Sequence, residues 1–123
     1  MFTLAGIVVH GQARGSKVGM PTANIALPDT LKDIEYGVYA CVVYLDEKKY
    51  LGVVNIGKRP TVDDKESIEV HILDFDEDIY GKDIRLDVYE YLRPIRKFDS
   101  LEEVKNQVDK DIIKTEEILK DFI

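Results

Sequence analysis

A closed or nearly closed antiparallel β-barrel with one C-terminal helix packed on it is the fold class this sequence predicts. Two patterns point there. Through the first two thirds of the chain, short apolar and β-branched runs are separated by turn residues. After Ser100 the apolar spacing changes to three and four residues and stays there to the C-terminus. Closure is the third consideration: five or six short strands and a single helix leave strand edges bare unless the sheet closes on itself. The alternative is an open α+β sheet with the helix across one face.

Taken in order, Thr3–Val9 is short, apolar and β-branched. Val38–Leu45 is apolar on both faces, and the turn Asp46-Glu47-Lys48-Lys49 leads from it into Tyr50–Ile56, so the two segments read as an antiparallel hairpin. Ser67–Phe75 follows, with Ile68, Val70 and Ile72 on one face and Glu69, His71, Leu73 and Phe75 on the other. Tyr80-Gly81-Lys82 is a turn into Ile84–Leu92, where Ile84, Leu86 and Val88 alternate with Arg85, Asp87 and Tyr89. Ser100-Leu101-Glu102-Glu103 is a capping box. Leu101, Val104, Val108, Ile112, Thr115, Leu119 and Phe122 then mark the apolar stripe of one helix, whose available partner is the strands.

The 123 residues suit one domain spanning 1–123 with one core. A formal net charge of −7 argues against a nucleic-acid partner, which calls for a basic face. No apolar run approaches the roughly 20 residues of a membrane helix, and no charged leader precedes one, so neither a membrane nor a secretory role is expected. One cysteine, Cys41, sits in an apolar run; it fits a small core residue in a reducing cytoplasm better than a reactive thiol. Two histidines and no cysteine cluster make a zinc centre a poor fit.

Several segments carry chemistry. Gly11 to Gly19 forms a glycine-rich loop after a strand, with Arg14 and Lys17 adding positive charge. Such a loop can cradle an anion on backbone N–H groups, although neither a Walker nor a dinucleotide-binding spacing is present, and a plain turn is the other reading. Directly after it comes Gly19-Met20-Pro21-Thr22-Ala23-Asn24. In an extended segment Thr22 and Asn24 point the same way and present two neutral oxygens. That pair suits a hard cation arriving with a polyphosphate, or else it bonds nearby backbone in a turn. Glu69 is either a surface carboxylate at a barrel mouth or a general base in a cleft. Tyr91–Phe98 clusters Arg93, Arg96 and Lys97 in an otherwise acidic chain; these cations either bind phosphate or balance the acidic helix, with Phe98 as a staple to it. The acidic run 74–78 lacks the glycine and the terminal glutamate of a calcium loop and reads as solvated.

Together these segments resemble riboflavin kinase, in particular the flavokinase domain of bacterial bifunctional riboflavin kinase/FAD synthetases. The resemblance rests on Gly-Ile-Val-Val-His-Gly at 6–11, Arg-Gly at 14–15, Gly-Met-Pro-Thr-Ala-Asn at 19–24 and Gly-Val-Val-Asn-Ile-Gly at 52–57. It continues through Glu-Val-His-Ile-Leu-Asp-Phe at 69–75, Tyr-Gly at 80–81 and Tyr-Leu-Arg-Pro-Ile-Arg-Lys-Phe-Asp-Ser-Leu at 91–101, and so covers almost the entire chain.

The resemblance implies a six-stranded Greek-key barrel and transfer of the ATP γ-phosphate to the riboflavin 5′-hydroxyl, giving FMN and ADP. It implies Glu69 as catalytic base, and Thr22 and Asn24 as holders of magnesium. Gly11, Gly15, Lys17 and Thr22 become nucleotide-binding residues; Arg93, Arg96 and Phe98 become the segment that closes over the flavin. An N-terminal FAD synthetase domain accompanies this domain in the bifunctional members. Its nucleotide motif is not found in these residues, so formation of FAD from FMN is not expected of them. The competing functional class is a flavin-binding barrel without turnover, and a third is an oligonucleotide-binding barrel. An intact metal pair and base set disfavours the former, and the acidic charge the latter.

Overall fold

The computed structural model describes residues 1–9, 22–26, 34–58, 66–75 and 77–122. Among them six strands follow in chain order: β1 (Phe2–Val9), β2 (Ala23–Ala26), β3 (Gly37–Leu45), β4 (Lys48–Lys58), β5 (Glu66–Ile72) and β6 (Asp83–Arg93). The helix α1 (Leu101–Leu119) comes next, continued by a 3₁₀ turn over Lys120–Phe122. The strands close into an antiparallel barrel in the order β1-β2-β5-β4-β3-β6. β3, β4 and β5 are neighbours in chain order while β6 returns beside β3, which is the Greek-key arrangement. The mainly-β barrel with a C-terminal helix expected from the sequence is therefore the fold, and closure leaves no free sheet edge.

Alternation sorts the side chains. Inside the barrel lie Leu4, Val8, Ile25, Tyr39, Cys41, Val43, Val54, Ile56, Ile68, Val70, Ile84, Leu86 and Val88. The lack of alternation in β3 has a direct cause, since both of its faces are covered. Ala40 and Val42 point outward and form a second cluster with Leu119, packed by Tyr44, Leu51, Tyr89, Leu92 and Ile118. The helix thus lies over β3, β4 and β6. Irregularities in the β3–β6 register, between Val38 and Tyr39 and between Ala40 and Cys41, pass over Tyr89 and Leu92, which both join that outer cluster.

Three sequence expectations are corrected in detail. The β3–β4 turn is two residues, not four, because Leu45 pairs directly with Lys48. Asp46 and Glu47 both take positive φ, 51° and 67°, as a hairpin matching the strand twist requires. β5 ends at Ile72, and the positive φ of Asp74, 55°, breaks the alternation. Leu73 and Phe75 consequently do not share the outer face of Glu69 and His71: Leu73 is buried, and Phe75 packs on the barrel core with its ring 5.0 Å from Tyr50. β2 was legible only as an extended segment, because four residues are too few to show a period. The buried face of α1 is centred on Asp111, Thr115 and Leu119, whereas Leu101, counted in the predicted stripe, is 58% exposed.

The capping box is present in a shifted form. The Glu103 N–H donates to Ser100 Oγ at 3.1 Å, and Glu103 Oε2 accepts from the Asp99 N–H at 2.9 Å. Ser100→Ala should destabilise the protein by about 1 kcal/mol. Thermal unfolding followed by circular dichroism should show a midpoint lowered by about 4 °C. An unchanged midpoint would mean the cap contributes nothing to stability.

Candidate active site

The barrel's outer surface carries the candidate site, because β5 alternates. Ile68, Val70 and Ile72 fill the interior, which turns Glu69 and His71 outward. On β2 the same logic sends Ala23 and Ile25 inward and Asn24 outward. The strand order then does what no local pattern encodes. β2 and β5 are neighbours, and their register sets Asn24 directly opposite Glu69. On the other side of β5, Asn55 of β4 is also opposite Glu69. On the far side of β2, Val9 is opposite Asn24. One row therefore crosses four strands: Val9, Asn24, Glu69, Asn55. Directly paired residues on a sheet face have Cβ atoms about 4.5–5.5 Å apart, so Asn24, Glu69 and Asn55 form one polar cluster.

Thr22 stands two residues before Asn24. Its Oγ1 is buried and has no hydrogen-bond partner among the described residues. Leaving a buried hydroxyl unsatisfied is unfavourable by about 1–3 kcal/mol; Thr115 on the buried face of α1 is orphaned in the same way, so it is the neighbourhood of Asn24 that makes Thr22 a candidate ligand. The donor chemistry fits a hard divalent cation: a hydroxyl and an amide oxygen beside a carboxylate. Among the described residues, no group of three or more His, Cys, Asp or Glu gathers in a way that could hold a metal ion.

Beyond Val9 the outer face of β1 opens into a groove of about 770 Å³, lined by Ala5, Ile7, Val9, Ala26, Tyr44 and Arg85 among others. Ile7 and Val9 are 48% and 37% exposed, so this wall is apolar and uncovered. Arg85 stacks on the Tyr44 ring at 4.1 Å, pairs with Asp87 at 3.3 Å, and lines the groove together with Asp83. This groove was missed in the sequence, because the outward side of β1 looks like any half-buried strand.

On the opposite flank, Tyr91–Phe98 leaves the end of β6 and crosses toward β4. Gly57, paired with Ser67, allows the approach: a Cβ there would meet Ile95 Cδ1 at 2.6 Å. The Arg96 guanidinium lies 4.6 Å from the Phe98 ring, and that of Arg93 lies 5.7 Å from it. Phe98 stands two residues before the cap Ser100, one too early for the usual staple position, and serves as a platform for guanidinium groups. Arg93 itself is bound to Asp111 of α1.

Asn24 and Glu69 are thus paired, with Asn55 added, and Thr22 stands two residues before Asn24 in the chain. Arg93, Arg96 and Phe98 form a separate segment. Gly11, Gly15 and Lys17 lie outside the described residues. Cys41 is buried and free, and burial above all, then the charge of Asp87, pushes its thiol up, the reverse of an activated thiolate. No helix among the described residues is long and apolar enough to cross a membrane.

Comparison with known proteins adds an independent line. The family model described as Flavokinase: Riboflavin kinase matches residues 1–119. The bifunctional riboflavin kinase/FMN adenylyltransferase of Bacillus subtilis is 39% identical over 114 residues, covering 89% of this chain and 36% of the relative. The RNA-binding riboflavin kinase RibR of the same organism is 39% identical over 114 residues, covering 91% and 49%. The chain spans between 17% and 49% of the length of the first curated relatives it matches. A solved riboflavin kinase from Trypanosoma brucei superposes with a TM-score of 0.68 at 24% identity, covering 96% of this chain and 79% of that one, a likeness of fold.

Proposed function

Because this chain belongs to the riboflavin kinase family, we propose that it transfers the γ-phosphate of ATP to the 5′-hydroxyl of the riboflavin ribityl chain, giving FMN and ADP. The observation that carries this proposal is the cross-strand pairing of Asn24 with Glu69, beside the orphaned Thr22 hydroxyl. Phosphoryl transfer calls for a base close to the groups that hold the metal and the phosphates, and Glu69 opposite Asn24 supports that reading.

Thr22 and Asn24 would hold the divalent metal, magnesium, through neutral oxygens. A metal bound there neutralises charge on the polyphosphate oxygens. The protein's own part is positioning and proton transfer. Glu69 accepts the proton of the 5′-hydroxyl as that oxygen forms its bond to the γ-phosphorus and the bond to the ADP oxygen breaks. Asn24 and Asn55 flank the carboxylate and orient it. Gly11, Gly15 and Lys17, in the segment following β1, would receive the phosphates. The apolar wall of Ala5, Ile7, Val9 and Ala26 suits a flat purine ring. Arg96 and Phe98, with Arg93 at the root of their segment, would close over the flavin on the other flank. A single buried cysteine suits a reducing compartment, the cytoplasm. RNA binding, for which one relative is named, is not assigned to this acidic chain.

The test is an incubation with riboflavin, ATP and magnesium, with the products separated by chromatography. FMN and ADP should appear in equal amounts and depend on the metal, and no FAD should form. Riboflavin binding without FMN under varied metals and donors would overturn the kinase reading in favour of a flavin-binding barrel.

A further inference from the structure

The Arg93–Asp111 pair is the most buried ion pair among the described residues, with side chains 18% and 5% exposed. Each nitrogen of the guanidinium makes at least one hydrogen bond. Arg93 Nε donates to Asp111 Oδ1 and Oδ2 at 3.0 and 3.1 Å, and Nη2 donates to Oδ2 at 2.9 Å. Gln107 Nε2 donates to Oδ1 at 3.1 Å. Arg93 Nη1 donates to the Pro94 carbonyl at 3.2 Å.

Burying two charges carries a desolvation penalty, and packing alone would stabilise the helix about as well as the pair does. Packing is already supplied elsewhere, by Leu119 and Ile118 on Ala40, Val42 and Leu51. The pair ties the last residue of β6 to the middle of α1, and so bears on the direction in which the chain leaves β6. From Arg93 the segment runs over Gly57, with Ile95 set on that bare backbone, and then to Phe98 and the Ser100 cap. Gly57 is two residues along β4 from Asn55, which faces Glu69. A bidentate guanidinium–carboxylate pair holds one orientation, which a single-point contact does not.

We propose that Asp111 is a positioning residue for the flavin side of the site. It acts through Arg93 to hold the Pro94–Phe98 segment against the β4–β5 flank of the Glu69 row. Arg93 is then a strut beneath that segment, since Nε, Nη1 and Nη2 each make a hydrogen bond within the protein. Loss of the pair should weaken riboflavin binding and leave the nucleotide side, across β2 and β1, as it was. This inference rests on the riboflavin kinase reading.

The experiment uses the full chain with Asp111→Asn, which keeps the shape and removes the charge. Arg93→Lys, which keeps the charge and removes the fork, is the second variant. Circular dichroism at the assay temperature establishes folding. Riboflavin affinity is read by flavin fluorescence, and the KM for each substrate by product formation. Riboflavin affinity should fall roughly tenfold in both variants while the KM for ATP stays within about twofold, a split that general loosening does not produce. Equal losses for both substrates would overturn the proposal, and so would no loss for either. Unfolding of both variants would also overturn it, by making the pair a stability element. If the unaltered protein neither binds nor phosphorylates riboflavin, the kinase reading itself fails, and that outcome is distinct from the others.

Discussion

Replacing Glu69 by alanine should lower kcat by about 10²–10⁴-fold, the range general-base assistance supplies. At about 1.36 kcal/mol per tenfold, that is a barrier increase of roughly 3–5 kcal/mol. Magnesium-ATP affinity, measured by calorimetry, should remain within about twofold, because Thr22 and Asn24 are untouched. The barrel should also survive: the β5 backbone still pairs with β2 and β4, and the interior residues Ile68 and Val70 are unchanged. Glu69→Gln separates the two roles a carboxylate can take. It keeps the size and hydrogen-bonding capacity but accepts no proton at working pH, so it should share most of the loss. If the glutamine variant turns over normally, the residue orients the hydroxyl and proton acceptance lies elsewhere. If the alanine variant turns over normally, Glu69 leaves the mechanism.

The strands were readable where one face meets core and the other does not, as in β5 and β6. They were readable for a different reason in β3, where apolar residues on both faces announce cover on both sides. The helix was readable from its period and cap, but its orientation was not. Asp111 looked like one more member of a polar face, because sequence does not show that Arg93 waits across the gap to neutralise it. The site has the same character. Asn24 and Glu69 are far apart in sequence, and their pairing follows from β2 lying beside β5 in the closed order, a non-local fact. The resemblance named both residues without showing that they are opposite one another. Asn55 carried a weak signal, a lone amide inside the apolar run from Val53 to Ile56, and its meaning appears only when β4 is laid against β5. The groove on β1 was not foreseen, because Ala5, Ile7 and Val9 make its outer face apolar in the way that marks cover in β3, and only their exposure tells the two strands apart.

Thr22→Ala should weaken magnesium-ATP binding by about 10–100-fold, the usual range when a group supporting a metal is removed. Two effects of opposite sign meet at this residue, and magnitudes decide between them. Without ligand, the buried Thr22 hydroxyl has no partner among the described residues, so its removal relieves an unsatisfied group and should leave stability unchanged or raise it by about 1 kcal/mol. With ligand, the same removal takes away one of the few protein oxygens offered to the cation, and Asn24 alone remains beside Glu69. Thermal unfolding with and without magnesium-ATP therefore tests both at once. The apo midpoint should hold or rise, and the ligand-induced increase should shrink, since that increase follows RT ln(1 + [L]/Kd). Thr22→Ser keeps the oxygen and should restore the ligand-induced increase. A lowered apo midpoint with an undiminished ligand effect would mean that the hydroxyl serves the fold, and the metal role assigned to Thr22 would be lost.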